Sequence, residues 1–489
     1  MFEAAEIGDS LSKKAYKKAV ARLRISLLAA QRGLAASNRS LIVVVAGVEG
    51  AGKSEFVNLL MTWLDARGVE THALGKPTDE ERERPYFWRF WRLLPARRRT
   101  GIFLTSWYTD VIVARALKKI GSGDFDQDLD RIIEFERMLV DENTVLIKLW
   151  FHISAEEQAK RFRALEKDPA TRWRVTARDW KFHKKYGKFR KVCEHALIKT
   201  GSPQAPWRIV AAGDRRYGNV AAARLILDGL KTGLSRPEPQ KPARARPPKP
   251  KPNNIIRRLD LSLKLNERTF KKRLEDLQGR LGMLTRRLKK RRRSLTLVFE
   301  GPDAAGKGGA IRRITGAIDA RLFRVHSVSA PTDEEKAHPY LWRFWRELPR
   351  IGRTTIYDRS WYGRVLVERV EGFASPTEWR RAFGEINAFE DQLFGFETIV
   401  LKFWIAISPE EELRRFKLRQ ETPYKQYKLT PEDWRNREKW DAYEAAACEM
   451  IECTGTDHAP WTLVEGEDKN WARIKILESI AARLAKELN

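Results

Sequence analysis

Residues 77–95, PTDEERERPYFWRFWRLLP, return as PTDEEKAHPYLWRFWRELP at residues 331–349. Fourteen of the 19 positions are identical, and the offset is 331 − 77 = 254. The same offset relates Gly47 to Gly301, Lys53 to Lys307, Trp107 to Trp361, Phe162 to Phe416, Trp180 to Trp434 and Trp207 to Trp461. A constant spacing over so long a stretch means two copies of one fold, aligned without a net gap. The 489 residues therefore divide into a first domain at 1–234, a segment at 235–252 and a second domain at 253–489. The segment between them, SRPEPQKPARARPPKPKP, is too rich in proline for helix interiors and too charged for a core, and reads as an extended basic linker.

Each copy opens with a basic segment of helical pattern, near 11–36 and 263–292. An apolar run follows, Leu41 to Ala46 in the first copy and Leu295 to Phe299 in the second, typical of a strand buried in a parallel sheet. Further strands are expected at Thr354–Tyr357, Thr398–Ile407 and Trp461–Val464, with helical stretches between them. This alternation predicts two tandem α/β domains, each a three-layer α/β/α sandwich around a parallel sheet.

The strand at 295–299 runs into Gly301-Pro302-Asp303-Ala304-Ala305-Gly306-Lys307-Gly308-Gly309, which contains G-x-x-x-x-G-K. Glycines let the backbone wrap closely so that successive N–H groups face phosphate oxygens, and the following helix adds its positive end. Gly301, Ala304, Ala305, Gly306, Gly308 and Gly309 are the expected phosphate-binding positions, with Lys307 on the transferring phosphate. Gly308 stands where the motif usually has Ser or Thr for Mg²⁺, so a metal must find other oxygens, Asp303 first among them.

The first copy, Gly47-Val48-Glu49-Gly50-Ala51-Gly52-Lys53-Ser54, satisfies the full motif. Downstream residues nevertheless favour the second copy. Asp358 closes a strand there and Arg359 follows it, where a second carboxylate and a cation would meet the phosphates. The aligned residues of the first copy are Leu104 and Thr105. Leucine cannot ligate Mg²⁺ and threonine cannot neutralise a developing phosphoryl charge, so the first copy is expected to have kept the fold and lost the chemistry.

The stretch around 414–428 carries Arg414, Arg415, Lys417, Arg419, Lys425 and Lys428, a cation set read as a channel for a linear polyanion on a lid. Trp342, Phe344 and Trp345 are read as core, since the degenerate copy has the same aromatics. Pro331, Thr332 and Asp333 are a weaker nucleotide-site candidate, with a structural turn equally compatible.

At these residues the second copy resembles the polyphosphate kinase 2 family. The resemblance rests on GPDAAGKGGAIRRI at 301–314, APTDEEKAHPYLWRFWRELP at 330–349, YDRSWYGRVLVERVEGF at 357–373 and RFKLRQETPYKQYKLTPEDW at 415–434, continuing to Asp468-Lys469. A degraded version covers the first copy, as in the two-domain class of that family. The resemblance implies a P-loop kinase core like that of thymidylate kinase with a helical lid, dependence on Mg²⁺, and phosphoryl transfer from polyphosphate to AMP, giving ADP. It implies a catalytic set of Asp303, Lys307, Asp358 and Arg359. Asp303 and Asp358 would hold or orient Mg²⁺, or Asp303 would orient the acceptor phosphate; the sequence leaves both open.

The formal charge of +29 asks for an anionic partner, which polyphosphate, nucleic acid and anionic lipid all supply. The expected partners are inorganic polyphosphate and AMP or ADP, with no membrane and no nucleic acid, in a homo-oligomer. No apolar run approaches the roughly 20 residues that span a bilayer. Cys193, Cys448 and Cys453 have neither disulfide nor metal spacing, and a cytoplasmic location is expected. Three rivals share parts of the pattern: transfer to ADP making ATP, an ATP-dependent nucleoside monophosphate kinase, and a nucleic-acid-binding protein with decayed loops.

Overall fold

A computed structural model describes residues 1–237 and 254–488; most of the linker, and the side chains of Lys425 and Lys428, lie outside the described residues. The chain forms two compact units. Unit 1 is Met1–Pro77, Arg89–Pro239 and Thr332–Pro339, and unit 2 is Thr78–Trp88, Gln240–Pro331 and Tyr340–Asn489. The units thus follow the two copies except for one short segment of each, so the continuous bounds 1–234 and 253–489 do not describe them fully.

Unit 1 contains β1 (Ser40–Gly47), β2 (Val69–His72), β3 (Thr100–Phe103), β4 (Thr144–His152) and β5 (Trp207–Ala211) in the order β2-β3-β1-β4-β5. Unit 2 contains β6 (Ser294–Glu300), β7 (Phe323–Ser327), β8 (Thr354–Asp358), β9 (Thr398–Ala406) and β10 (Trp461–Glu465) in the order β10-β9-β6-β8-β7. All pairs are parallel. Every residue of β6 and of β9 is buried, as a strand covered on both faces requires. The strand β7 was not expected from the sequence. Its five residues, FRVHS, sit at the sheet edge, half-buried or exposed, so burial imposed no apolar run on them.

Alternation along the strands divides the apolar side chains between two layers. In unit 2, Leu295, Leu297, Phe299, Leu401 and Phe403 face the helices Glu267–Lys290, Lys307–Thr315 and Lys469–Leu488 through Leu281, Ile311, Ile314 and Leu477. On the other face an aromatic layer packs edge to face: Trp361 lies 5.0 Å from Phe389 and 5.8 Å from Phe344, and Trp345 lies 5.1 Å from Phe389. Trp342, Phe344 and Trp345 are all buried, as core residues should be. Through this layer Lys402 of β9 reaches Glu390 at 2.7 Å, the Tyr362 hydroxyl at 2.9 Å and the Thr454 carbonyl at 2.7 Å. Unit 1 repeats the arrangement with Lys148, Glu136, Tyr108 and Thr200.

With β6 central and β8 beside it, Phe299 pairs with Asp358. The carboxyl ends of both strands therefore open at the point where the strand order reverses, the usual ligand position in an open α/β sheet.

Candidate active site

The loop after β6 turns sharply at Gly301, where φ is +140° and a Cβ would stand 2.4 Å from the Ile405 carbonyl. Only glycine fits there. The loop ends at Gly306, also left-handed, which precedes the helix Lys307–Thr315. Between them Ala304 holds φ at +60°, an uncommon value for a residue with a side chain. The Lys307 ammonium donates to the Gly301 and Pro302 carbonyls at 2.7 and 2.9 Å. Burial, then the charge of Arg359, push its pKa down, against the pull of Asp303, Asp358 and Glu300.

Arg359, directly after β8, is a second non-glycine residue in the left-handed region, with φ at +63°. Its backbone N–H donates to the Phe299 carbonyl, and its guanidinium Nη2 donates to Asp303 Oδ1 at 2.5 Å. Strained backbone of this kind concentrates at functional sites, where the surroundings hold it. Asn436 Nδ2 donates to the other oxygen, Asp303 Oδ2, at 3.0 Å. Burial alone would raise the Asp303 pKa, but Arg359, Lys307 and the Asn436 bond outweigh it, and the carboxyl is held below its ordinary value. Asn436 in turn accepts from the Tyr443 hydroxyl at 3.0 Å, and that hydroxyl also reaches Glu371 at 3.3 Å.

Of the residues expected from sequence, Asp303, Lys307, Asp358 and Arg359 converge at the carboxyl edge of β6 and β8. Sequence reading missed four others. Glu300, the last residue of β6, is buried and accepts from Ser360 Oγ at 2.7 Å; burial raises its pKa. Asn436, Tyr443 and Glu371 form the chain behind Asp303. At the 254-residue offset these four correspond to Ala46, Phe182, Phe189 and Leu117. That contrast between copies was the signal that could have found them.

The lid cations separate into different roles. Arg415 is buried and faces inward. It donates to the carbonyls of Ala304 and Ala305 at 2.9 Å, of Gly466 at 2.7 Å and of Glu467 at 3.0 Å, and to Glu411. It clamps the loop from behind and has no donor nitrogen left for a polymer, contrary to the expectation of a phosphate contact. Arg161 makes four of the five corresponding contacts in unit 1, to Gly50, Ala212, Gly213 and Glu157. Arg414 is exposed and paired with Glu411, and Lys417 is exposed. Arg419 lies near enough to influence Asp433.

Other cations crowd the start of the helix Lys307–Thr315. Arg473 comes within 3.4 Å of where a Gly309 side chain would begin. Burial, then Arg313 and Arg312, lower the Arg473 pKa; burial, then Arg415, lower that of Lys469. Positive charges pressed together beside the loop amides favour a polyanion.

Thr332 accepts from the Glu335 amide at 3.2 Å and its own amide donates to the Glu335 carboxylate at 2.8 Å. Asp333 pairs with Lys336 at 3.3 Å. This is a helix cap, and Thr78 with Glu81 forms the same one. The geometry of Pro331, Thr332 and Asp333 is that of the structural turn.

Beyond Asp303 and Arg359 opens a cleft of about 100 Å³ with apolar walls that include Leu366, Val367, Trp404, Trp440 and Tyr443. The Trp404 indole is 6% exposed, and its Nε1 has no hydrogen-bond partner among the described residues.

An anion-binding loop on a central strand, a carboxylate and an arginine on its neighbour, and an apolar cleft between them define a P-loop phosphotransferase of the nucleoside-kinase kind. The chain belongs to the polyphosphate kinase 2 family: the family model, Polyphosphate kinase 2, matches residues 10–237 and again 264–489. It is similar to the polyphosphate:AMP phosphotransferase of Pseudomonas aeruginosa, with 47% identity over 488 residues covering 98% of each chain. A polyphosphate:AMP phosphotransferase of Acinetobacter johnsonii is 35% identical over 470 residues, 95% of this chain and 96% of that one. A crystal structure from Pseudomonas aeruginosa PA01, assigned to polyphosphate kinase 2, superposes with a TM-score of 0.89 at 44% identity, covering 100% of this chain and 99% of that one.

Proposed function

We propose that unit 2 transfers the terminal phosphoryl group of inorganic polyphosphate to AMP, giving ADP and a polymer one phosphate shorter, and that unit 1 is inactive in this transfer. The observation that carries this reading is the Asp303–Arg359 pair, which stands between the cationic loop and the apolar cleft. A donor chain lies along the loop amides and the cations Lys469, Arg473 and Arg414, with its end at Lys307. The nucleoside enters the apolar cleft, where Trp404 forms part of the wall beside its base. Its phosphate oxygen meets the terminal phosphorus beside Arg359.

The bond from the terminal phosphorus to its bridging oxygen breaks as the bond to the AMP oxygen forms. The bridging electrons stay on the shortened polymer. The acceptor oxygen is already anionic near neutral pH, because a phosphate monoester loses its second proton near pH 6, so no general base is required. Catalysis then rests on alignment and charge neutralisation. Arg359, fixed by Asp303 and by its own strained backbone, places its guanidinium where charge spreads over the moving group. Lys307 holds the terminal phosphate oxygens, and lid closure excludes water.

Mg²⁺ fits the residues present in a limited way. No cluster of three acidic, histidine or cysteine ligands is gathered among the described residues. Asp358 at the end of β8, with Asp303 nearby, supplies the one or two carboxylates with which Mg²⁺ joins substrate phosphates. Both Asp303 oxygens accept hydrogen bonds from the protein, which favours Asp358 as the metal-facing group and Asp303 as the residue that orients Arg359. Bound there, Mg²⁺ would neutralise negative charge on the substrate phosphates.

No helix among the described residues is long and apolar enough to cross a membrane. The three cysteines are free thiols, in keeping with a cytoplasmic setting. A homo-oligomer, tested by light scattering, completes the reading. A coupled assay with polyphosphate or ATP as donor and AMP or ADP as acceptor is decisive. Polyphosphate with AMP and Mg²⁺ should turn over, and Asp358→Asn should abolish it. Turnover with ATP alone, or undiminished turnover in Lys307→Ala, would overturn the proposal.

A further inference from the structure

Unit 1 lost the reacting side chains and kept the binding geometry. Its loop has the same left-handed turns, with φ of +144° at Gly47 and +90° at Gly52, and a Cβ at Gly47 would meet the Phe151 carbonyl at 2.2 Å. The Lys53 ammonium donates to the Gly47 and Val48 carbonyls at 2.9 and 3.0 Å, and the Arg161 clamp holds the loop from behind. The helix that follows, Lys53–Trp63, has 11 residues, enough to present a positive end.

A cavity of about 180 Å³ adjoins this loop. Its floor is the loop itself, Gly47 to Glu49 with Lys53, and its walls include Leu104, Trp150, Phe182 and Phe189. Trp150 is 6% exposed, and its Nε1 has no hydrogen-bond partner among the described residues. A buried N–H donor without an acceptor costs free energy, so the Trp150 side chain at the cavity wall is a polar group still unsatisfied.

Carboxylates distinguish the two sites. Unit 2 has Glu300, Asp303 and Asp358; unit 1 has Ala46, Glu49 and Leu104 at those positions, and Glu49 pairs with Lys53 at 3.3 Å. An anion entering unit 1 meets less negative charge and needs no cation to screen it. Thr105 stands where unit 2 has Arg359.

We infer that unit 1 is a non-catalytic, metal-independent binding site for a nucleoside monophosphate, with its phosphate on the loop amides and Lys53 and its base among Trp150, Phe182 and Phe189. Loop and aromatic walls belong to one cavity, so one ligand must satisfy an anion cradle and an apolar cage together. A linear polyphosphate has no part for the cage, and an apolar molecule has none for the cradle. The inference concerns residues outside the proposed catalytic site and does not depend on it.

The test is calorimetric titration of the full chain with AMP in EDTA and without polyphosphate, so that no transfer can occur. Two equivalents should bind per chain. Val113→Trp, which fills the unit 1 cavity, should remove one. Trp150→Phe, which removes the indole nitrogen together with part of the ring at the cavity wall, should weaken that same equivalent by about tenfold, and Lys53→Ala by at least about tenfold. Trp404→Phe should affect only the other equivalent. If the catalytic reading alone is wrong, a single equivalent remains that responds to Trp150→Phe and not to Trp404→Phe. Binding that all three unit 1 substitutions leave unchanged, or no binding in EDTA, would overturn the inference.

Discussion

Lys402 and Glu390 face each other at 2.7 Å with neither side chain exposed, and Lys148 and Glu136 repeat the contact at 2.6 Å. An ion pair present in both units serves what the units share, which is the fold. Residues found only in unit 2, such as Glu300, Asp358, Arg359 and Asn436, serve what they do not share.

Lys402→Met leaves Glu390 as a buried charge without its partner. It should lower the stability of unit 2 by about 3–5 kcal/mol. Adding Glu390→Leu should restore much of that loss, because removing both charges removes the desolvation cost. Denaturant unfolding of the single and double variants measures the difference. Equal destabilisation in both would contradict the buried-pair account.

Arg359→Lys retains the charge but loses the planar guanidinium that Asp303 fixes. The turnover number should fall by about 10³-fold or more, in the range of arginine-finger losses, with the KM for AMP changed far less. Asn436→Ala frees one Asp303 oxygen and should give a smaller fall in the same direction. Steady-state kinetics with polyphosphate and AMP separate the two.

Arg415 and Arg473 lie close in space and should behave differently. Arg415→Ala strips four loop carbonyls of their donor and should cost roughly 2–4 kcal/mol of stability. Arg473→Ala should leave the melting temperature nearly unchanged, raise the KM for polyphosphate, and reduce the slope of log KM against log salt. A melting curve and a salt series on each variant decide it.

Glu412 lines the apolar cleft, and its carboxyl is pushed up from the ordinary 4.5 to about 7. Burial is the largest cause, opposed by the Arg437 bond and reinforced by Asp303. The folded state thus holds this proton more tightly than the unfolded chain does. Its contribution to stability is fully present below pH 4.5 and is lost as pH rises through about 7. Glu412→Gln, which installs the residue that unit 1 carries as Gln158, should remove that decline. Melting temperatures between pH 5 and pH 8 should fall with pH less steeply in the variant than in the parent chain.

Much of the architecture is legible in the amino-acid sequence. The run at 295–299 lies within β6, and the one at 398–407 is β9 apart from its final residue, because strands covered on both faces are mostly apolar, with Lys402 tolerated only through its buried partner Glu390. The loops were legible because their glycines answer to backbone geometry. By contrast β7 was hidden by its edge position, and the true role of Arg415 by the fact that a cation bonded to carbonyls looks, in sequence, like a cation awaiting an anion. Asn436, Tyr443 and Glu371 lie 133, 140 and 68 positions from Asp303 (436 − 303, 443 − 303, 371 − 303), so no local pattern could join them.

The matching brackets made by Arg161 and Arg415 carry a consequence for engineering. Because each secures its loop through main-chain carbonyls, reactivity in this scaffold is decided by a handful of side chains mounted on an indifferent frame. Unit 1 is therefore a ready acceptor for transplanted chemistry, with Ala46, Leu104, Thr105 and Phe182 the places to begin.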